Sequence, residues 1–254
     1  MCLIVFAYDH HPDYELIFAA NRDEFYDRPT APARFWEEQP KILAGRDLKA
    51  GGTWMGTTRA GRIAAVTNVR DPDGHRDDAP SRGMLVTDYL NGNRTPEDHA
   101  TRLAGRAERY NGFNLLVGNL KTLWYCSNRD GASQQITPGI HGLSNHRLDT
   151  EWPKVKRAKG EIDLLIQKEE LTPESLFELL ADRTRPPEED LPDTGVPEEW
   201  ERVLAPIFIA SPSYGTRSST VLLIRRDGQV TFAERSFEAG GEPAGTEHHT
   251  FEVD

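Results

Sequence analysis

Two apolar runs at the start of the chain decide the fold. Residues 2–8 read Cys-Leu-Ile-Val-Phe-Ala-Tyr, residues 14–20 read Tyr-Glu-Leu-Ile-Phe-Ala-Ala, and the intervening residues 9–13 are rich in turn formers. Each run is short and apolar on consecutive residues, a pattern typical of strands that are covered on both faces. The runs therefore predict a β-hairpin in a sheet that lies between another sheet and a layer of helices.

Further strand-like segments follow along the chain. They are residues 53–58, 62–68, 113–118, 122–127, 206–210, 217–225 and 229–235. Most connections between them are short, which favours antiparallel neighbours. The expected fold class is α+β with two mainly antiparallel sheets.

Helix signals separate these strands. Thr95-Pro96 and Thr172-Pro173 each combine a capping residue with a proline at the first helical position, and Ser81 is a further candidate cap. Between them, Val155, Ala158, Ile162 and Leu165 recur at helical spacing and predict one amphipathic helix.

No sequence feature demands a second domain. We expect a single domain over residues 1–237 and a flexible tail over residues 238–254. Residues 184–197 contain four prolines and several acids, which predicts a loop. That loop is either a lid over a pocket or a solvated connection.

Charge and composition narrow the classes of binding partner that we expect for this protein. The net charge of −11 disfavours binding to nucleic acid or to anionic lipid surfaces. No apolar run approaches the roughly 18 residues that cross a bilayer, so we expect no stable membrane insertion. Two cysteines are too few for a disulfide framework, and a cytoplasmic location is the simplest expectation. The oligomeric state is left open.

Common catalytic motifs are missing from the sequence. It contains no phosphate-binding Walker loop, no dinucleotide-binding glycine pattern, no His-Glu-x-x-His and no Gly-x-Ser-x-Gly. The pairs His10-His11 and His248-His249 lie in a hairpin turn and in the tail, without convergent ligands. We therefore expect no metal site.

Cys2 stands out because of its position. If Met1 is removed, Cys2 becomes the first residue, and its thiol lies beside an α-amino group with a pKa of about 7.7–8.0. That amine is able to act as the general base for the thiol, so one residue supplies nucleophile and base. The alternative is a buried strand cysteine without a catalytic role.

Eight segments carry a family resemblance that runs in order along nearly the whole chain. They are residues 1–6 (Met-Cys-Leu-Ile-Val-Phe), 20–25 (Ala-Asn-Arg-Asp-Glu-Phe), 44–47 (Ala-Gly-Arg-Asp), 51–54 (Gly-Gly-Thr-Trp), 67–70 (Thr-Asn-Val-Arg), 81–83 (Ser-Arg-Gly), 142–145 (Gly-Leu-Ser-Asn) and 214–220 (Tyr-Gly-Thr-Arg-Ser-Ser-Thr). In these segments the sequence resembles the NRDE family, to which the transport and Golgi organisation 2 proteins belong.

The resemblance implies a fold and a mechanism. The family looks like a branch of the N-terminal-nucleophile (Ntn) hydrolases, whose fold is a four-layer α-β-β-α sandwich. Choloylglycine hydrolases and penicillin V acylases are similar in short motifs and cleave amide bonds with an N-terminal cysteine. Cys2 matches that nucleophile.

Other site residues are implied by the same motifs. The relatives show Arg-Asn-x-Asp at the end of the second strand, so Asn21 and Asp23 match, whereas Arg22 is displaced by two positions. A shift of two residues keeps the same face of a strand, about 7 Å further along. Asn68 and Asn145 resemble the oxyanion-binding asparagines, and Arg217 resembles a late-strand arginine.

These residues also have structural alternatives. Asn21, Asn68 and Asn145 are good turn formers. Trp54 is expected either to line a substrate pocket or to be a core aromatic residue. Asp23 and Arg22 are candidates for simple loop organisation as well as for chemistry.

Two functions are open from the sequence. The first is a cysteine amidohydrolase for a small acylated amine or amino acid, with Cys2 as nucleophile, Asp23 orienting its amine, Asn68 and Asn145 binding the oxyanion, and Arg217 in the site. Asn21, Arg22 and Trp54 would contact the substrate, and no cofactor is needed. The second, implied by the resemblance, is a haem or lipid/acyl-CoA binding and trafficking protein on the same fold. The sequence has no Cys-Pro haem signature.

Overall fold

The computed structural model describes residues 2–72, 74–129, 131 and 133–253. The strands are β1 Cys2–Tyr8, β2 Tyr14–Phe25, β3 Thr30–Phe35, β4 Ile42–Asp47, β5 Met55–Thr58, β6 Ile63–Asn68, β7 Phe113–Gly118, β8 Leu123–Ser127, β9 Ser133–Gln135, β10 Gly139–Leu143, β11 Tyr214–Arg225, β12 Gln229–Phe237 and β13 Pro243–Glu252. The helices are α1 Gly83–Asn91, α2 Pro96–Ala104, α3 Pro153–Gln167, α4 Pro173–Leu180 and α5 Glu198–Leu204.

The strands form two sheets. A six-stranded sheet has the order β10-β1-β2-β11-β12-β13, and a seven-stranded sheet runs from β3 to β9 in sequence order. Pairing is antiparallel in the second sheet and in the first sheet from β10 to β12. The predicted α+β class with two mainly antiparallel sheets is confirmed.

The chain divides into two compact units, each built around one sheet. The six-stranded unit comprises the chain up to Asp27, residues 138–144 and residues 148–250. The seven-stranded unit comprises residues 28–137, 145–147 and the residues from 251 onward. The single domain over residues 1–237 stays a prediction.

In the six-stranded unit, α3 and α4 cover one face of the sheet. The odd-numbered residues of β1, such as Leu3 and Val5, pack with Val155, Ile162 and Leu176 of these helices. Even-numbered residues such as Ile4 and Phe6 of β1 and Phe18 of β2 face the other side and are also buried. The strands are thus covered on both faces, as their continuous hydrophobicity predicts.

In the seven-stranded unit, α1 and α2 cover one face of the sheet. Leu85, Tyr89 and Leu103 pack against sheet residues such as Val66 and Leu115. Burying a side chain of this size stabilises the folded state by roughly 1.5–3 kcal/mol, so these contacts account for the attachment of the helices. No helix in the described part of the chain is both long enough and apolar enough to span a bilayer.

Two of the predicted helix caps are confirmed and one is wrong. The Thr95 side chain accepts from the Asp98 N–H at the start of α2, and Thr172 forms a reciprocal capping box with Ser175 at the start of α4. Ser81 does not cap α1, because the helix starts two residues later and only the Ser81 carbonyl accepts from Met84 N–H.

The predicted strand over residues 206–210 is also wrong. Only Ala210 forms an isolated bridge there. Phe208 donates its N–H to Asp182 O, and Ile209 donates to Thr216 Oγ1, so this apolar run is a buried connection without a ladder partner. Burial without regular pairing is what made it resemble a strand.

The C-terminal region contains an edge strand. The segment predicted to be a flexible tail includes β13, which pairs with β12 and has nearly all its side chains exposed. Residues 184–197 form the predicted loop, with one short 3-10 turn at Glu188–Asp190. Thr194 in this loop donates its N–H to Glu201 Oε1 at 3.1 Å, which fixes the loop to α5.

Candidate active site

Cys2 lies at the beginning of β1, directly opposite Arg22 of β2. Opposite residues of an antiparallel pair point to the same face, so the two side chains share the face that turns away from α3 and α4. Cys2 is partly exposed, and Arg22 is 6% exposed. Ser144 Oγ donates to Cys2 O at 3.0 Å and fixes the backbone at the strand end. The displaced arginine of the sequence motif therefore lies beside the thiol.

Asp23 is the buried carboxylate of the site. It is 2% exposed, and Thr216 Oγ1 donates to Asp23 Oδ1 at 2.8 Å. The Tyr214 hydroxyl donates to Asp23 O at 3.0 Å. Both partners lie on β11, whose register with β2 shifts between Thr216 and Ser218. Such a bulge re-aims side chains locally, and here it brings two hydroxyl groups to one aspartate.

Burial keeps the Cys2 thiol protonated at neutral pH. Burial raises the pKa of the Cys2 thiol above its ordinary value, and the Asp23 carboxylate raises it further. The Arg22 guanidinium and a hydrogen bond with the Asp23 backbone act in the opposite direction without reversing the shift. Because the thiolate is the nucleophilic form, Cys2 requires a base at neutral pH.

The pKa of the Asp23 carboxyl group is also raised. Burial raises its pKa, while the charge of Lys154 and the hydrogen bond from Thr216 lower it. Lys154 lies in the first turn of α3, is 4% exposed, and donates from Nζ to Leu204 O at 2.9 Å. A buried ammonium and a buried carboxylate in one unit offset part of the cost of burying either charge.

Asn21 is held by three hydrogen bonds within the six-stranded unit, and its predicted contact with substrate stays a prediction. Its Nδ2 donates to Leu180 O at 2.8 Å and Ile207 O at 2.9 Å, and its Oδ1 accepts from Ser219 Oγ at 2.6 Å. Both donor positions of the amide are used within the fold. This geometry gives Asn21 a structural role, because it ties β2 to the end of α4.

Arg217 is the extra residue of the β11 bulge. Its Nη1 donates to Phe25 O and Tyr26 O, both at 3.1 Å, and its guanidinium lies 5.9 Å from the centre of the Tyr26 ring. The side chain therefore braces the end of β2 just beyond Asp23. Its predicted role in catalysis stays a prediction.

The other three predicted site residues belong to the seven-stranded unit. Asn145 is fully buried and donates from Nδ2 to Asn68 O at 3.1 Å, and Arg70 N–H donates to Asn145 O at 2.8 Å. The structure thus brings the two asparagines together. Trp54 is 9% exposed, and Val66 N–H donates to Trp54 O. The oxyanion and pocket roles of these residues stay predictions.

Four residues of the site are not among the residues predicted from sequence. Thr216, Tyr214 and Ser144 lie inside segments that carry the family resemblance, so the motifs contained a signal for them. Lys154 had no such signal. A lysine at a helix start is normally read as a solvated charge, and only tertiary packing shows that it is buried.

Two solved structures that have the Ntn-hydrolase fold match this chain. An N-acylethanolamine-hydrolyzing acid amidase ortholog from Caenorhabditis elegans matches with a TM-score of 0.50 and 12% identity, over 87% of this chain and 92% of the other. A mutant of the conjugated bile acid hydrolase from Clostridium perfringens matches with a TM-score of 0.51 and 7% identity, over 99% and 92%. At such identities the likeness shows the fold alone, and the predicted Ntn-hydrolase-like fold is confirmed.

Sequence relatives identify the family. The family model of Transport and Golgi organisation 2 matches residues 1–239. Relatives named as homologs of that protein from Mus musculus and Homo sapiens are each 36% identical over 93% of both chains, and the Drosophila melanogaster protein is 28% identical over 96% of this chain and 95% of its own length. The chain belongs to the Transport and Golgi organisation 2 family.

Proposed function

We propose that this protein is an Ntn-type cysteine amidohydrolase that acts on a small acylated amine or amino acid. The observation that carries the proposal is the arrangement around Cys2 at the end of the hairpin: Arg22 lies directly opposite Cys2, and the buried carboxyl group of Asp23 follows on the same strand. Buried ionisable groups that no core requires are characteristic of functional sites. The likeness in fold to amide hydrolases supports the same reaction class.

The proposed reaction begins once Cys2 is the first residue. Its α-amine takes the thiol proton, and the thiolate attacks the amide carbonyl carbon. The tetrahedral intermediate collapses with cleavage of the C–N bond, and the protonated α-amine gives its proton to the leaving amine. Water, deprotonated by the same amine, then hydrolyses the thioester and releases the carboxylic acid and Cys2.

The neighbours of Cys2 have separate tasks in this mechanism. Asp23, held by Thr216, orients the α-amine and stabilises its protonated form. Arg22 favours the thiolate, as its effect on the Cys2 thiol pKa indicates. The family motifs assign the oxyanion to Asn68 and Asn145, and we retain that assignment as part of the proposal.

The decisive experiment combines intact mass with labelling. Protein expressed in its native form is expected to begin at Cys2, and a chloroacetamide probe is expected to modify Cys2 with loss of HCl. Cys2→Ala should lose the label, whereas Cys126→Ala is the matched control because Cys126 is a 5% exposed thiol on β8 of the other sheet. Hydrolysis of an N-acyl amino acid panel should disappear with Cys2→Ala alone.

Two results would contradict this function. One is native protein that retains residues ahead of Cys2, since the α-amino group would then be an amide nitrogen and unable to accept a proton. The other is wild-type protein that begins at Cys2 but labels no faster than Cys2→Ala.

The binding-protein alternative makes a different prediction. A haem carrier should show a Soret band on titration with haemin that changes when its axial Cys or His is replaced. Cys126 lines a cavity of about 150 Å³. Ligand pockets for drug-sized molecules start at roughly 300 Å³, so this cavity does not fit a haem. For lipid or acyl-CoA, saturable binding that persists in Cys2→Ala would support the alternative.

The cellular setting is also a proposal. No disulfide joins Cys2 and Cys126, and a thiol nucleophile requires reducing conditions, which supports the cytoplasm. Fractionation of cells expressing the tagged chain tests this location. A small-molecule substrate is the proposed partner, with neither nucleic acid nor membrane involved.

A further inference from the structure

A row of polar side chains crosses the six-stranded sheet next to the thiol. Arg22 of β2 lies directly opposite Cys2, and Ser218 of β11 lies opposite Arg22. Ser236 of β12 lies opposite Ser218. Opposite residues of antiparallel strands point to the same face, with Cβ atoms about 5 Å apart. We call these four residues the polar row, and it leads from the proposed nucleophile across three neighbouring strands.

The polar row lies on the face of the sheet that turns away from α3 and α4. Val221 of β11 packs with these helices, and the strand is regular between Ser218 and Val221. Because side chains of a strand alternate between faces, Ser218 points away from the helices. The same spacing separates Ser236 from Ala233, which also packs with the helices. Ser218 therefore shares the face of the Cys2 thiol.

Ser218 differs from the other hydroxyl residues of its strand. It is 3% exposed, and its Oγ is buried without a hydrogen-bond partner among the described residues. The hydroxyl groups of Thr216, Ser219 and Thr220 on the same strand each donate to a side-chain acceptor. A buried hydroxyl without a partner destabilises the folded state. We therefore expect the Ser218 hydroxyl to find its partner in a group that binds from solution.

Arg22 determines which group fits beside Ser218. A guanidinium is always charged, and its planar fork of N–H donors matches a carboxylate. Its charge lowers the pKa of the Cys2 thiol, so it acts close to the reacting atom. Glu24 and Glu234 lie on the same face, but in the register they are diagonal to Ser218, about 7–8 Å away, whereas Arg22 is directly opposite. A carboxylate at Ser218 is therefore nearest to the positive charge.

The dimensions of a small amide match the polar row. Cys2 and Ser218 are separated by two strand spacings, roughly 10 Å. An attacking sulfur lies about 3–3.5 Å from the amide carbon, and a carboxyl carbon one residue length further is about 3.6 Å away. A hydrogen bond to a hydroxyl adds about 2.8 Å. Together these lengths reach from Cys2 past Arg22 to Ser218, whether the carboxylate belongs to the amine or to the acyl portion.

We propose that Arg22 and Ser218 bind a carboxylate group of the substrate, so that the enzyme prefers acidic amides to neutral amides of the same shape. This inference rests on the proposed function, because it assigns the substrate class of the same site. The Ser218 hydroxyl donates to one carboxylate oxygen, and the Arg22 guanidinium donates to the carboxylate from the side of Cys2. The net charge of −11 repels anions in general, so a preference for the acid reports a local site.

Ligand binding to Cys2→Ala tests this subsite without turnover. One pair of ligands, N-acetylglycine and N-acetylglycinamide, places the carboxylate in the amine portion. The other pair, succinamic acid and succinamide, places it in the acyl portion. We expect the acid of at least one pair to bind roughly ten- to a hundred-fold more tightly than its amide, the range for hydrogen bonds to a charged group. Dissociation constants are measured by NMR titration.

Variants in the Cys2→Ala background separate binding from stability. Ser218→Ala breaks no hydrogen bond of the described chain, so it should be at least as stable in urea unfolding, yet it should lose roughly ten-fold in affinity for the acid alone. Arg22→Lys keeps the charge without the fork and should retain part of the preference. Ser127→Ala is the matched control, because it removes a buried hydroxyl that donates to Phe113 O at 3.0 Å. It should lose stability and keep the preference.

The outcomes separate this inference from the proposed function. Equal affinities within both pairs, tighter binding of the amides, or a preference unchanged by Ser218→Ala would overturn the carboxylate assignment. Labelling of Cys2 by N-chloroacetylglycine and by N-chloroacetylglycinamide tests the hydrolase proposal by itself. If neither probe labels Cys2, that proposal fails, and a preference for the acid in Cys2→Ala still supports the subsite. If a probe labels Cys2 and no pair shows a preference, the subsite alone is overturned.

Discussion

In each sheet a buried asparagine makes three side-chain hydrogen bonds. In the seven-stranded sheet, Asn114 donates to Thr67 Oγ1 and His146 O and accepts from the Tyr125 hydroxyl, at 3.0, 2.7 and 2.8 Å. In the six-stranded sheet, Asn21 donates to two carbonyls and accepts from Ser219. The two networks are alike in type, and both tie a central strand to segments distant in sequence.

Their neighbours differ. Asn114 lies between Phe113 and Leu115, which are both buried and apolar. Asn21 is followed by Arg22 and Asp23, which are both buried and ionisable. The first network shows that a neutral amide is sufficient to anchor a strand. The charges beside Asn21 raise the cost of burial without being needed for anchoring, which is the physical argument that they serve chemistry.

The largest expected effect is on catalysis through Asp23. Asp23→Asn should lower amide turnover at least about 100-fold, because a group that orients the general base is worth that much or more. The matched control is Glu234→Gln, which neutralises another buried carboxylate of the same unit, one that accepts from Thr220 Oγ1. Turnover is measured as acid released per folded molecule. Equal losses in the two variants would remove Asp23 from the mechanism.

We also predict that the difference in stability between wild type and Asp23→Asn depends on pH. Burial raises the pKa of Asp23 in the folded state above its ordinary value of 3.8, so the folded state binds the proton more tightly. As pH rises from 3.8 through the folded-state pKa, wild type should therefore lose stability relative to Asp23→Asn. Urea unfolding at several pH values measures this difference. If the unfolding free energy of wild type minus that of Asp23→Asn increased with rising pH, the assigned shift would be contradicted.

The next effect belongs to the neutral network. Asn114→Leu removes an amide whose three partners would remain buried without it, and we expect a loss of about 3 kcal/mol in the free energy of unfolding. Turnover per folded molecule should stay near wild type. Urea unfolding followed by circular dichroism gives the stability, and active-site titration gives the folded fraction. A large loss of turnover in Asn114→Leu would show that the Asn114 network also affects catalysis, which contradicts a purely anchoring role.

A third effect comes from His99 in the seven-stranded unit. This side chain is 4% exposed, stacks edge-to-face on Tyr89, and has a pKa lowered to about 4 by burial, with nearby arginines contributing. Its Nε2 has no hydrogen-bond partner among the described residues. The unfolded state takes up the proton first, so stability should fall as pH drops below about 6.5.

Acid unfolding of variants measures this contribution. Between pH 7.5 and pH 5, wild type should lose about 2 kcal/mol more than His99→Gln, which cannot titrate in that range. The exposed His10→Gln is the control and should follow wild type. Parallel curves for wild type and His99→Gln would contradict the effect.

The smallest effect compares helix caps of the two units. Thr95→Ala in α2 and Thr172→Ala in α4 should each cost about 1 kcal/mol, since each removes a side-chain acceptor for a backbone N–H. Thr95→Ser and Thr172→Ser keep the oxygen and should be near wild type. The midpoint temperature of thermal unfolding is sensitive enough to detect a change of about 1 kcal/mol. If the two alanine variants lost clearly different amounts of stability, the two units would differ in their response to the loss of a helix cap.

Local chemistry made part of the fold predictable. Continuous apolar runs predicted β1 and the buried part of β2, and Thr95 and Thr172 indicated their helices because capping depends on neighbouring residues alone. The edge strand β3 was missed since Pro32 and Arg34 interrupt it, and β4 was missed because its apolar run covers only residues 42–44. Whether an apolar run such as residues 206–210 becomes a strand depends on a pairing partner, which sequence does not reveal.

The candidate site was predictable in residue type and less so in arrangement. The two-residue shift predicted that Arg22 keeps the strand face of the arginine in the related motif, about 7 Å further along. The register places Arg22 opposite Cys2. The hydrogen bonds that Asn21 Nδ2 donates depend on the carbonyl groups of Leu180 and Ile207, which are far away in sequence. The hydroxyl donors to Asp23 result from a bulge in β11, and bulges leave no periodic signal.

The order of strands in the six-stranded sheet has a consequence for biosynthesis. β1 and β2 are made first, but their outer neighbours are β10, which starts at Gly139, and β11, which starts at Tyr214. At about 5–20 residues per second, roughly 10–40 s of translation separate the emergence of Cys2 from that of β11. During this interval the hairpin lacks the strands that enclose it. Peptidases that act on nascent chains therefore have time to trim whatever precedes Cys2 before the sheet closes around it.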